Sequence, residues 1–566
     1  MRPGFFLPST GRRAAGAWLA GTLALLAAGG QAAAAPPGQD LRLSYRSLVD
    51  GTDQPYRLYV PAAYDGASAW PLVIALHGTG GDENSLFEDK RLPADELRRV
   101  AEKHAVLMAT PHGRGTTEYR GIGENDVFCV LADLQRRFRV DPDRIYLTGQ
   151  SMGGTGSAYL ALHHPDLFAA VAPLAAAYSF PWLAANGRHV PFWWLQGAKD
   201  SDFYLAGVAQ GVERMRRLGQ DVRYDLIPEG RHEAGLLRID DAVGWLVQHR
   251  RVAHPREYVF EVDTPLHGRA YWTEVSQIER PGRMAVVRAR APDRRRVELG
   301  LENVGVAALL PDARVFDLTE PLAVAMNGAT VFTGVLGEER QLRVAREGPG
   351  WRATLEPLRP RDVTAYRIHP VATAPEALDN TGVEARLANW ITDALRAATG
   401  ADLALYNRVH DRGRGLPAGT VDIVDLIQCS LPFDQHLVTA ELTGRDLLEI
   451  LDANVQTAAQ LAAIPPERRH AANRLVQVSG FRYHFDPARP AGQRIVWSNL
   501  QPDRRYQVVM EGQVVQRETL QLAGRFRQLS HRQSEIAFTT ALYGHARQRG
   551  KIEARIEGRV VRVGGP

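Results

Sequence analysis

One short segment combines a serine with closely spaced glycines, the residue types that a strained nucleophilic turn needs. Residues 149–154 read Gly-Gln-Ser-Met-Gly-Gly, and they place Ser151 between the apolar run 145–148 and the helical stretch 155–163. Glycines two positions before and after a serine let a strand and a helix approach closely while the serine adopts a strained backbone. The pattern therefore predicts a strand–turn–helix unit that exposes Ser151 as a nucleophile.

A second glycine-rich segment follows an earlier apolar run, and its backbone suits the binding of a developing negative charge. Residues 77–81 read His-Gly-Thr-Gly-Gly directly after the predicted strand 71–76. Backbone N–H groups aimed at an oxyanion stabilise the transition state of acyl transfer, each by about 2.7–4 kcal/mol. We expect the N–H groups of Thr79 and Met152 to form this oxyanion hole, with a neighbouring glycine as the alternative to Thr79. The histidine that opens the segment is expected to be structural.

Two later loops carry an acid and a histidine in the order that a serine nucleophile of this kind requires. Asp200 follows the predicted strand 191–195 in a Gly-x-x-Asp spacing, and Asp202 is the alternative two residues further on. His232 lies on the loop after the predicted strand 221–227. These residues predict a triad in which His232 takes the proton of the serine hydroxyl and Asp200 orients the imidazole.

The other histidines and the two cysteines do not form a pattern with metal-ligand spacing. His163 and His164 end the helix behind the serine, and we expect them to be exposed or to be hydrogen-bonded structural residues. Cys129 and Cys429 lie far apart in the chain, and two free thiols are expected rather than a disulfide. The sequence thus predicts no metal site and no cofactor, since triad chemistry needs neither.

The elements that must carry the catalytic loops follow from the spacing of apolar residues. Between residues 41 and 250, continuous apolar runs such as 72–76 and 106–109 alternate with amphipathic stretches such as 93–103. Runs of this kind suit strands that are buried on both faces of a parallel sheet. The alternation predicts an open α/β sheet covered by helices.

The pattern changes twice further along the chain. After residue 254 apolar residues alternate with period two, and Asn327-Gly328 between two apolar runs is a strong hairpin signal. We interpret this segment as a small all-β sandwich. After residue 372 helices and strands mix, with amphipathic helices predicted at 383–399 and 442–454. The predicted domains are an α/β catalytic domain at 36–254, the β-sandwich at 255–372 and an α+β domain at 373–566.

The first 35 residues have the order of an export signal. Arginines at positions 2, 12 and 13 precede the apolar run 17–28, and small residues follow at 32–35. The apolar run is too short to span a bilayer. We therefore predict a signal peptide at 1–35, a periplasmic or secreted protein and no integral membrane span. The arginine pair leaves the Sec and twin-arginine export routes both open.

The overall composition argues against two classes of protein. Hydrophobic residues make up 45% of the chain, which is enough for several cores and excludes a disordered chain. The formal net charge is only +4, and no nucleic-acid-binding motif accompanies the basic residues. We therefore expect no nucleic-acid partner.

Several runs around the serine turn are shared with one group of known enzymes. Residues 76–78 read Leu-His-Gly, 140–146 read Val-Asp-Pro-Asp-Arg-Ile-Tyr, and 164–170 read His-Pro-Asp-Leu-Phe-Ala-Ala. With the serine turn, they make residues 41–250 resemble the polyhydroxybutyrate-depolymerase and feruloyl-esterase-like branch of the α/β hydrolases. The sequence departs from that branch at Gln196, where many relatives carry histidine. The resemblance implies hydrolysis of a small-molecule or polymer-borne carboxylic ester, and it leaves open a peptidase related to the prolyl oligopeptidases.

The last domain shares a different set of runs, in family order, at 387–394, 399–407, 416–421, 431–433 and 442–444. These runs resemble the C-terminal, substrate-binding domain of 5′-nucleotidases. The family reads Asn-x-Gly-Gly-x-Arg where this chain keeps Asn407 and Arg412 but has Val409 and His410 in place of the glycines. The sequence carries no Gly-Asn-His-Glu or Gly-His-x-His run of the companion metallophosphatase domain. The resemblance implies a non-catalytic domain in which Asn407 and Arg412 could hold a phosphate or carboxylate. A nucleotide- or ligand-binding protein is therefore a third hypothesis.

Overall fold

The first part of the chain folds around one eight-stranded sheet. The computed structural model describes residues 38–366, 370–407, 415–429, 436–455, 475–511 and 531–564. The predicted signal peptide at 1–35 lies outside these residues. The strands of the first sheet are β1 (Gln39–Arg46), β2 (Asp53–Val60), β3 (Trp70–Leu76), β4 (Leu107–Pro111), β5 (Val140–Gln150), β6 (Ala170–Leu174), β7 (Phe192–Gly197) and β8 (Val222–Ile227).

This sheet has the strand order β1-β2-β4-β3-β5-β6-β7-β8. Strands β1 and β2 join antiparallel at one edge, and β3 to β8 run parallel to one another. Four α-helices lie between strands of this sheet, α1 (Glu96–His104), α2 (Ile122–Arg137), α3 (Met152–His163) and α4 (Asp202–Arg217), and a fifth, α5 (Ile239–Leu246), follows β8. The parallel α/β sheet expected from the alternating pattern is present.

Strand β3 shows why the apolar runs are continuous. Leu72, Ile74 and Leu76 pack into the core on the face of helices α2 and α3. Val73 and Ala75 pack into a separate core on the face of α1 and α5. Successive side chains of a strand point to opposite faces, so a strand covered on both sides needs an apolar residue at every position.

The second part of the chain forms two five-stranded sheets. One has the order β16-β15-β13-β12-β9 and the other β10-β11-β14-β17-β18. Both contribute to one buried cluster, with Phe260 and Val287 from the first sheet and Val275 and Leu342 from the second. The strands are β9 (Glu257–Val262), β10 (Arg269–Ala270), β11 (Thr273–Ile278), β12 (Ala285–Asp293), β13 (Arg296–Glu302), β14 (Val304–Leu309), β15 (Pro321–Met326), β16 (Ala329–Val335), β17 (Arg340–Glu347) and β18 (Gly350–Pro357).

The predicted hairpin lies between β15 and β16, where Met326 pairs with Ala329. Asn327 and Gly328 between them have φ angles of 48° and 86°. Two consecutive positive φ values are what a two-residue type I′ turn requires, and asparagine and glycine adopt them at low cost. The hairpin expected from the dipeptide is therefore confirmed.

The third part of the chain mixes helices with short sheets. Its main sheet has the order β23-β20-β26-β22-β27, and two smaller sheets are formed by β19 with β21 and by β24, β25 and β28. The strands are β19 (Pro370–Ala374), β20 (Leu403–Asn407), β21 (Gly419–Asp422), β22 (His436–Thr443), β23 (Val476–Ser479), β24 (Tyr483–Phe485), β25 (Ile495–Ser498), β26 (Arg505–Glu511), β27 (His531–Ala537) and β28 (Val560–Arg562). The helices are α6 (Arg386–Thr399), α7 (Ile423–Gln428), α8 (Gly444–Asn454) and α9 (Phe538–Arg549).

The third part packs directly on the first. A Cβ on Gly121, at the start of α2, would overlap the side chain of Val424 and would meet Gln428 at 3.1 Å, both on α7. The ring of Trp182 lies 4.9 Å from that of His436, centroid to centroid. Within the described parts of the chain, no helix is both long enough and apolar enough to cross a bilayer.

Candidate active site

The serine turn sits between β5 and α3 and holds Ser151 in a rare backbone conformation. Its φ of 60° and ψ of −115° lie in a region that residues with a side chain seldom adopt. The backbone N–H of Ser151 donates to the carbonyl oxygen of Leu174, at 2.9 Å. The hydroxyl is thereby raised above the carboxyl end of the sheet, where a substrate can reach it.

The glycines around Ser151 are explained by close backbone contacts. A Cβ on Gly149 would meet the carbonyl carbon and oxygen of Gly153 at 2.6 Å, and a Cβ on Gly153 would overlap the carbonyl group of Leu76. Real Cβ atoms do not approach backbone atoms this closely. Strand β5, helix α3 and strand β3 can therefore meet at this turn only because both positions lack a side chain.

The structure brings Ser151, His232 and Asp200 together in one chain of hydrogen bonds. The Oγ atom of Ser151 lies 2.9 Å from Nε2 of His232, and Nδ1 of His232 lies 2.8 Å from Oδ2 of Asp200. A carboxylate only accepts hydrogen bonds, so Nδ1 carries a proton and Nε2 is left to accept the serine hydroxyl proton. This is the protonation state that a general base needs before it activates a serine.

Two loops that are tied to each other position the acid and the histidine. Asp200 follows β7, and His232 follows β8, which is parallel to β7. The N–H of Lys199 donates to the carbonyl of Gly230 at 2.8 Å, so the two loops share a backbone hydrogen bond. The second carboxylate oxygen of Asp200 accepts the N–H of Ser201 at 2.7 Å, and the side chain is only 4% exposed. Asp202, the alternative acid, is exposed and opens helix α4.

The predicted oxyanion segment lies beside the serine. A Cβ on Gly78 would be 3.5 Å from Cβ of Ser151. The N–H of Gly80 donates to the hydroxyl of Thr116 at 3.2 Å, and that of Gly81 donates to the carbonyl of Gly78 at 3.1 Å. Thr79 lies between these two glycines. Met152 is the first residue of α3, and the first four N–H groups of a helix have no helical acceptor. The assignment of Thr79 and Met152 to the oxyanion hole stays a prediction.

His77 holds the predicted oxyanion segment, residues 77–81, in place through hydrogen bonds. It is fully buried, with its ring nitrogens 2.8 Å from the carbonyl oxygen of Gly78 and 2.9 Å from that of His112. The carbonyl oxygen of His77 accepts the hydroxyl of Tyr119 at 3.2 Å. Burial raises the pKa of Tyr119 well above its usual value, so its hydroxyl stays a neutral donor. These contacts give His77 the structural role expected from the sequence.

Aromatic side chains near the acid loop fall into two groups. Phe192, Trp193 and Trp194 on β7 are buried in the cores on either side of the sheet. Tyr204 on α4 is different, because its ring lies 5.1 Å from the ring of His232, centroid to centroid. Tyr204 therefore lies beside His232, whereas the three strand residues are enclosed in the cores.

Sequence reasoning missed one charged residue beside the serine. Arg91 places its guanidinium 3.3 Å from Oε1 of Gln150, the residue that precedes Ser151. Its hydrogen bonds with Asp89 raise its pKa above the usual value, so it is a permanent cation. No local sequence motif identifies Arg91, because it is about 60 residues from Gln150 in the chain and only the fold brings the two together.

The predicted ligand-binding residues of the third domain are described only in part. Asn407 is buried at the end of β20, where it pairs in register with Val476. Arg412 lies outside the described residues. The structure therefore does not test whether the two side chains share a site.

Comparisons with known proteins agree with the two resemblances seen in the sequence. Residues 50–233 match the family model described as putative esterase, and residues 370–516 match that described as 5′-nucleotidase, C-terminal domain. The expected fusion of these two families is thereby confirmed.

Individual relatives cover only parts of the chain. The putative esterase NocK of Nocardia uniformis subsp. tsuyamanensis is 32% identical over 146 residues, which are 24% of this chain and 41% of that protein. The probable feruloyl esterase C of Aspergillus flavus is 29% identical over 136 residues, 23% of this chain and 50% of that protein. Among solved structures, a 5′-nucleotidase precursor from Thermus thermophilus is similar at a TM-score of 0.31 and 22% identity, over 44% of this chain and 55% of that one. The chain thus spans half or less of the length of these curated relatives.

Proposed function

We propose that this protein is an exported serine esterase that hydrolyses carboxylic esters through an acyl-enzyme. The observation that carries the proposal is the hydrogen-bonded series Ser151–His232–Asp200 on a strained turn between a strand and a helix. The esterase family match over residues 50–233 supports it, because that segment includes all three residues. The curated relatives named as esterases support the same reaction class.

The proposed reaction follows from the positions of the three side chains. His232 removes the hydroxyl proton as the Oγ atom of Ser151 attacks the acyl carbon, and Asp200 stabilises the imidazolium that forms. The N–H groups of Thr79 and Met152 would bind the oxyanion of the tetrahedral intermediate. The imidazolium then protonates the leaving alcohol. In the second half, His232 activates water against the acyl-enzyme, and Ser151 regains its proton.

We assign the rest of the chain to supporting roles. Residues 1–35 would direct export to the periplasm or beyond the cell. Residues 255–372 would form a small all-β sandwich, supported by two five-stranded sheets that share one core. Residues 373–566 would be a non-catalytic domain of the 5′-nucleotidase C-terminal type, supported by the family match at 370–516.

The decisive experiment replaces the nucleophile and compares substrates. Ser151→Ala should lower kcat for p-nitrophenyl acetate by about 10⁶, as removal of the serine does in a comparable triad. Ser276→Ala, at an exposed serine on β11, should keep the wild-type rate. A panel of alkyl acetates, feruloyl methyl ester and prolyl p-nitroanilides then separates an esterase from a peptidase.

The outcomes of that panel are distinct. Rapid hydrolysis of esters with no peptidyl turnover supports the proposal. Peptidyl turnover that exceeds ester turnover would identify a peptidase that uses the same triad. Ester turnover by Ser151→Ala at the wild-type rate would show that Ser151 is not the nucleophile.

A further inference from the structure

A cluster of buried histidines and acids lies between the first two parts of the chain, away from the proposed triad. His163 is the last residue of α3, and Asp263 and His267 follow β9. All three are buried, with 3%, 8% and 3% of their surface exposed. Nε2 of His163 lies 3.0 Å from Oδ2 of Asp263, and Nδ1 of His267 lies 3.9 Å from Oδ1 of Asp263. One ligand atom from each residue lies within 4.8 Å of the others.

In His163 and His267, the ring nitrogen that points away from Asp263 lies within hydrogen-bond distance of an acceptor. Nδ1 of His163 donates to the carbonyl oxygen of Tyr159 at 3.0 Å. Nε2 of His267 lies 3.1 Å from a carboxylate oxygen of Glu124. Histidines that bind a metal typically donate their other N–H to a carbonyl or a carboxylate, which fixes the tautomer and turns the lone pair inward. Here the two inner nitrogens both face Asp263.

One oxygen of the Asp263 carboxylate, at the centre of this cluster, accepts no hydrogen bond from the described residues. Oδ1 of Asp263 is buried and accepts no hydrogen bond from any residue in the described ranges, since Nδ1 of His267, at 3.9 Å, lies beyond hydrogen-bond distance. A buried carboxylate oxygen without a partner is costly, and such groups are usually paired or bound to a metal. The orphaned oxygen points to a ligand that the side chains alone do not supply.

We propose that His163, Asp263 and His267 bind one divalent transition-metal ion, most simply Zn²⁺, which joins the catalytic domain to the β domain. Two imidazoles and a carboxylate suit zinc, whereas calcium and magnesium take oxygen ligands. Zinc–nitrogen and zinc–oxygen distances of about 2.0–2.2 Å place neighbouring ligand atoms roughly 3.3 Å apart. The separations of 3.0 and 3.9 Å on either side of Asp263 bracket that value.

The neighbouring His164 is excluded as a ligand by its own contacts. Nδ1 of His164 accepts a hydrogen bond from the guanidinium of Arg361 at 3.0 Å, so its proton resides on Nε2, which donates to Glu124 at 2.6 Å. A metal on Nε2 would move the proton to Nδ1, against the arginine. His164 therefore provides a matched control, since it is buried on the same chain segment and adjacent to His163.

The surroundings also fit a dication. Glu124 and Asp263 are two enclosed carboxylates, whereas Arg361 is already paired with Asp166. A cavity of about 90 Å³, lined in part by Glu124, His164 and His267, borders the cluster on the side of His267.

The proposed ion has a structural role and no part in ester cleavage. Helix α3 begins next to Ser151 and ends at His163, and its twelve residues rise by about 17 Å at 1.5 Å per residue. The ion is thus too far from the triad to touch a substrate there. It would hold the end of the helix that carries the nucleophile against the segment that follows β9.

The test measures the metal content of the full chain. Protein is produced in minimal medium supplemented with ZnCl₂ or, separately, CoCl₂, and metal is quantified by mass spectrometry. Wild type should hold about one equivalent of zinc, and His163→Gln and Asp263→Asn should each hold below about a tenth, because each loses a ligand of a three-ligand site. His164→Gln should keep the wild-type content. The cobalt form, with the three side chains and one water as ligands, should show the visible absorption bands of a four-coordinate ion.

Three results would contradict the proposed zinc site. Wild type that holds below a tenth of an equivalent after growth with zinc, and no visible bands after growth with cobalt, would overturn the proposal. So would zinc that is retained by both ligand variants, or lost equally by His164→Gln. If the ligand variants do not fold, as judged by circular dichroism, the zinc content and cobalt spectrum of wild type and His164→Gln give the answer. Because the metal readout does not depend on turnover, it stands or fails independently of the proposed esterase activity.

Discussion

Replacement of Asp200 by asparagine tests the geometry of the triad more sharply than removal of the serine does. One carboxylate oxygen of Asp200 accepts the N–H of Ser201 at 2.7 Å, and the other lies 2.8 Å from Nδ1 of His232. In Asp200→Asn the amide oxygen must stay on the Ser201 side, because that position needs an acceptor. The NH₂ group then faces His232 and donates to Nδ1. The proton of the imidazole moves to Nε2, which can no longer accept the proton of Ser151.

The expected loss is large although the change in shape is small. The same substitution in a serine protease triad lowers kcat by about 10⁴ through the wrong tautomer. At about 1.36 kcal/mol per factor of ten, this corresponds to roughly 5.4 kcal/mol of lost transition-state stabilisation. KM should change little, because the buried carboxylate contacts His232 and the backbone rather than the substrate.

The assay compares Asp200→Asn with Asp202→Asn by initial rates of p-nitrophenyl acetate hydrolysis. Asp202 is exposed, and a surface substitution of this kind changes free energies by about 0.5 kcal/mol or less, a factor of about two in rate. The reasoning is refuted if Asp202→Asn is the more damaging change. It is also refuted if Asp200→Asn keeps more than about a tenth of the wild-type kcat, since the tautomer argument predicts about 10⁴.

Two further predictions concern stability. Gly153→Ala should lower the free energy of unfolding by about 1–3 kcal/mol, because its Cβ would overlap the carbonyl of Leu76. Gly350→Ala is the control and should cost little, because its Cβ would meet nothing closer than 3.8 Å. Equal urea midpoints for the two variants would contradict this prediction. Burial, with a smaller contribution from Arg214, lowers the pKa of His436 to about 4. Above pH 6.5 the His436 imidazole is neutral in both the folded and the unfolded chain, so it costs the folded state nothing. As the pH falls from 6.5 toward 4, the unfolded chain binds a proton that the folded chain does not, and the free energy of unfolding falls, by about 2 kcal/mol at pH 5. Urea unfolding at pH 8 and pH 5 should show this loss in wild type and a smaller one in His436→Gln, and identical losses would rule it out.

The three residues of the proposed triad could be chosen from the sequence because of the loops on which they lie. Ser151 and Asp200 follow β5 and β7, whose buried residues are visible as apolar runs, whereas His232 follows β8, a partly exposed strand at the edge of the sheet. Element boundaries were less accurate. The helix predicted at 442–454 begins at Gly444, because Thr443 caps it with a hydrogen bond from the N–H of Asp446 at 3.1 Å.

A turn interrupts the apolar stretch near the end of the chain. The stretch 475–485 is divided into β23 and β24 by a turn at Gly480, which has a φ of 92°. A Cβ on Gly480 would overlap the carbonyl oxygen of Asp402. The apolar pattern continues through the turn, so the pattern alone could not show the break. Similarly, helix α6 starts at Arg386 rather than at residue 383.

Contacts between distant segments could not be predicted from the sequence. His163 was expected to be exposed or structural, and its two partners in the buried cluster lie about 100 residues later in another part of the fold. The expectation that the chain has no metal site rested on spacing along the chain. Spacing detects ligands that share a loop or a helix, and it does not detect ligands that a domain interface brings together.

At Ser151, the requirement for activity and the requirement for thermal stability favour different residues. Its φ of 60° and ψ of −115° cost a residue with a side chain on the order of 1–3 kcal/mol, a strain that glycine would not carry. A chain selected only to withstand heat would gain by replacing the residue that is the proposed nucleophile. Directed evolution of this protein for thermal resistance therefore needs a turnover screen in every round, since heat challenge by itself rewards loss of the nucleophile.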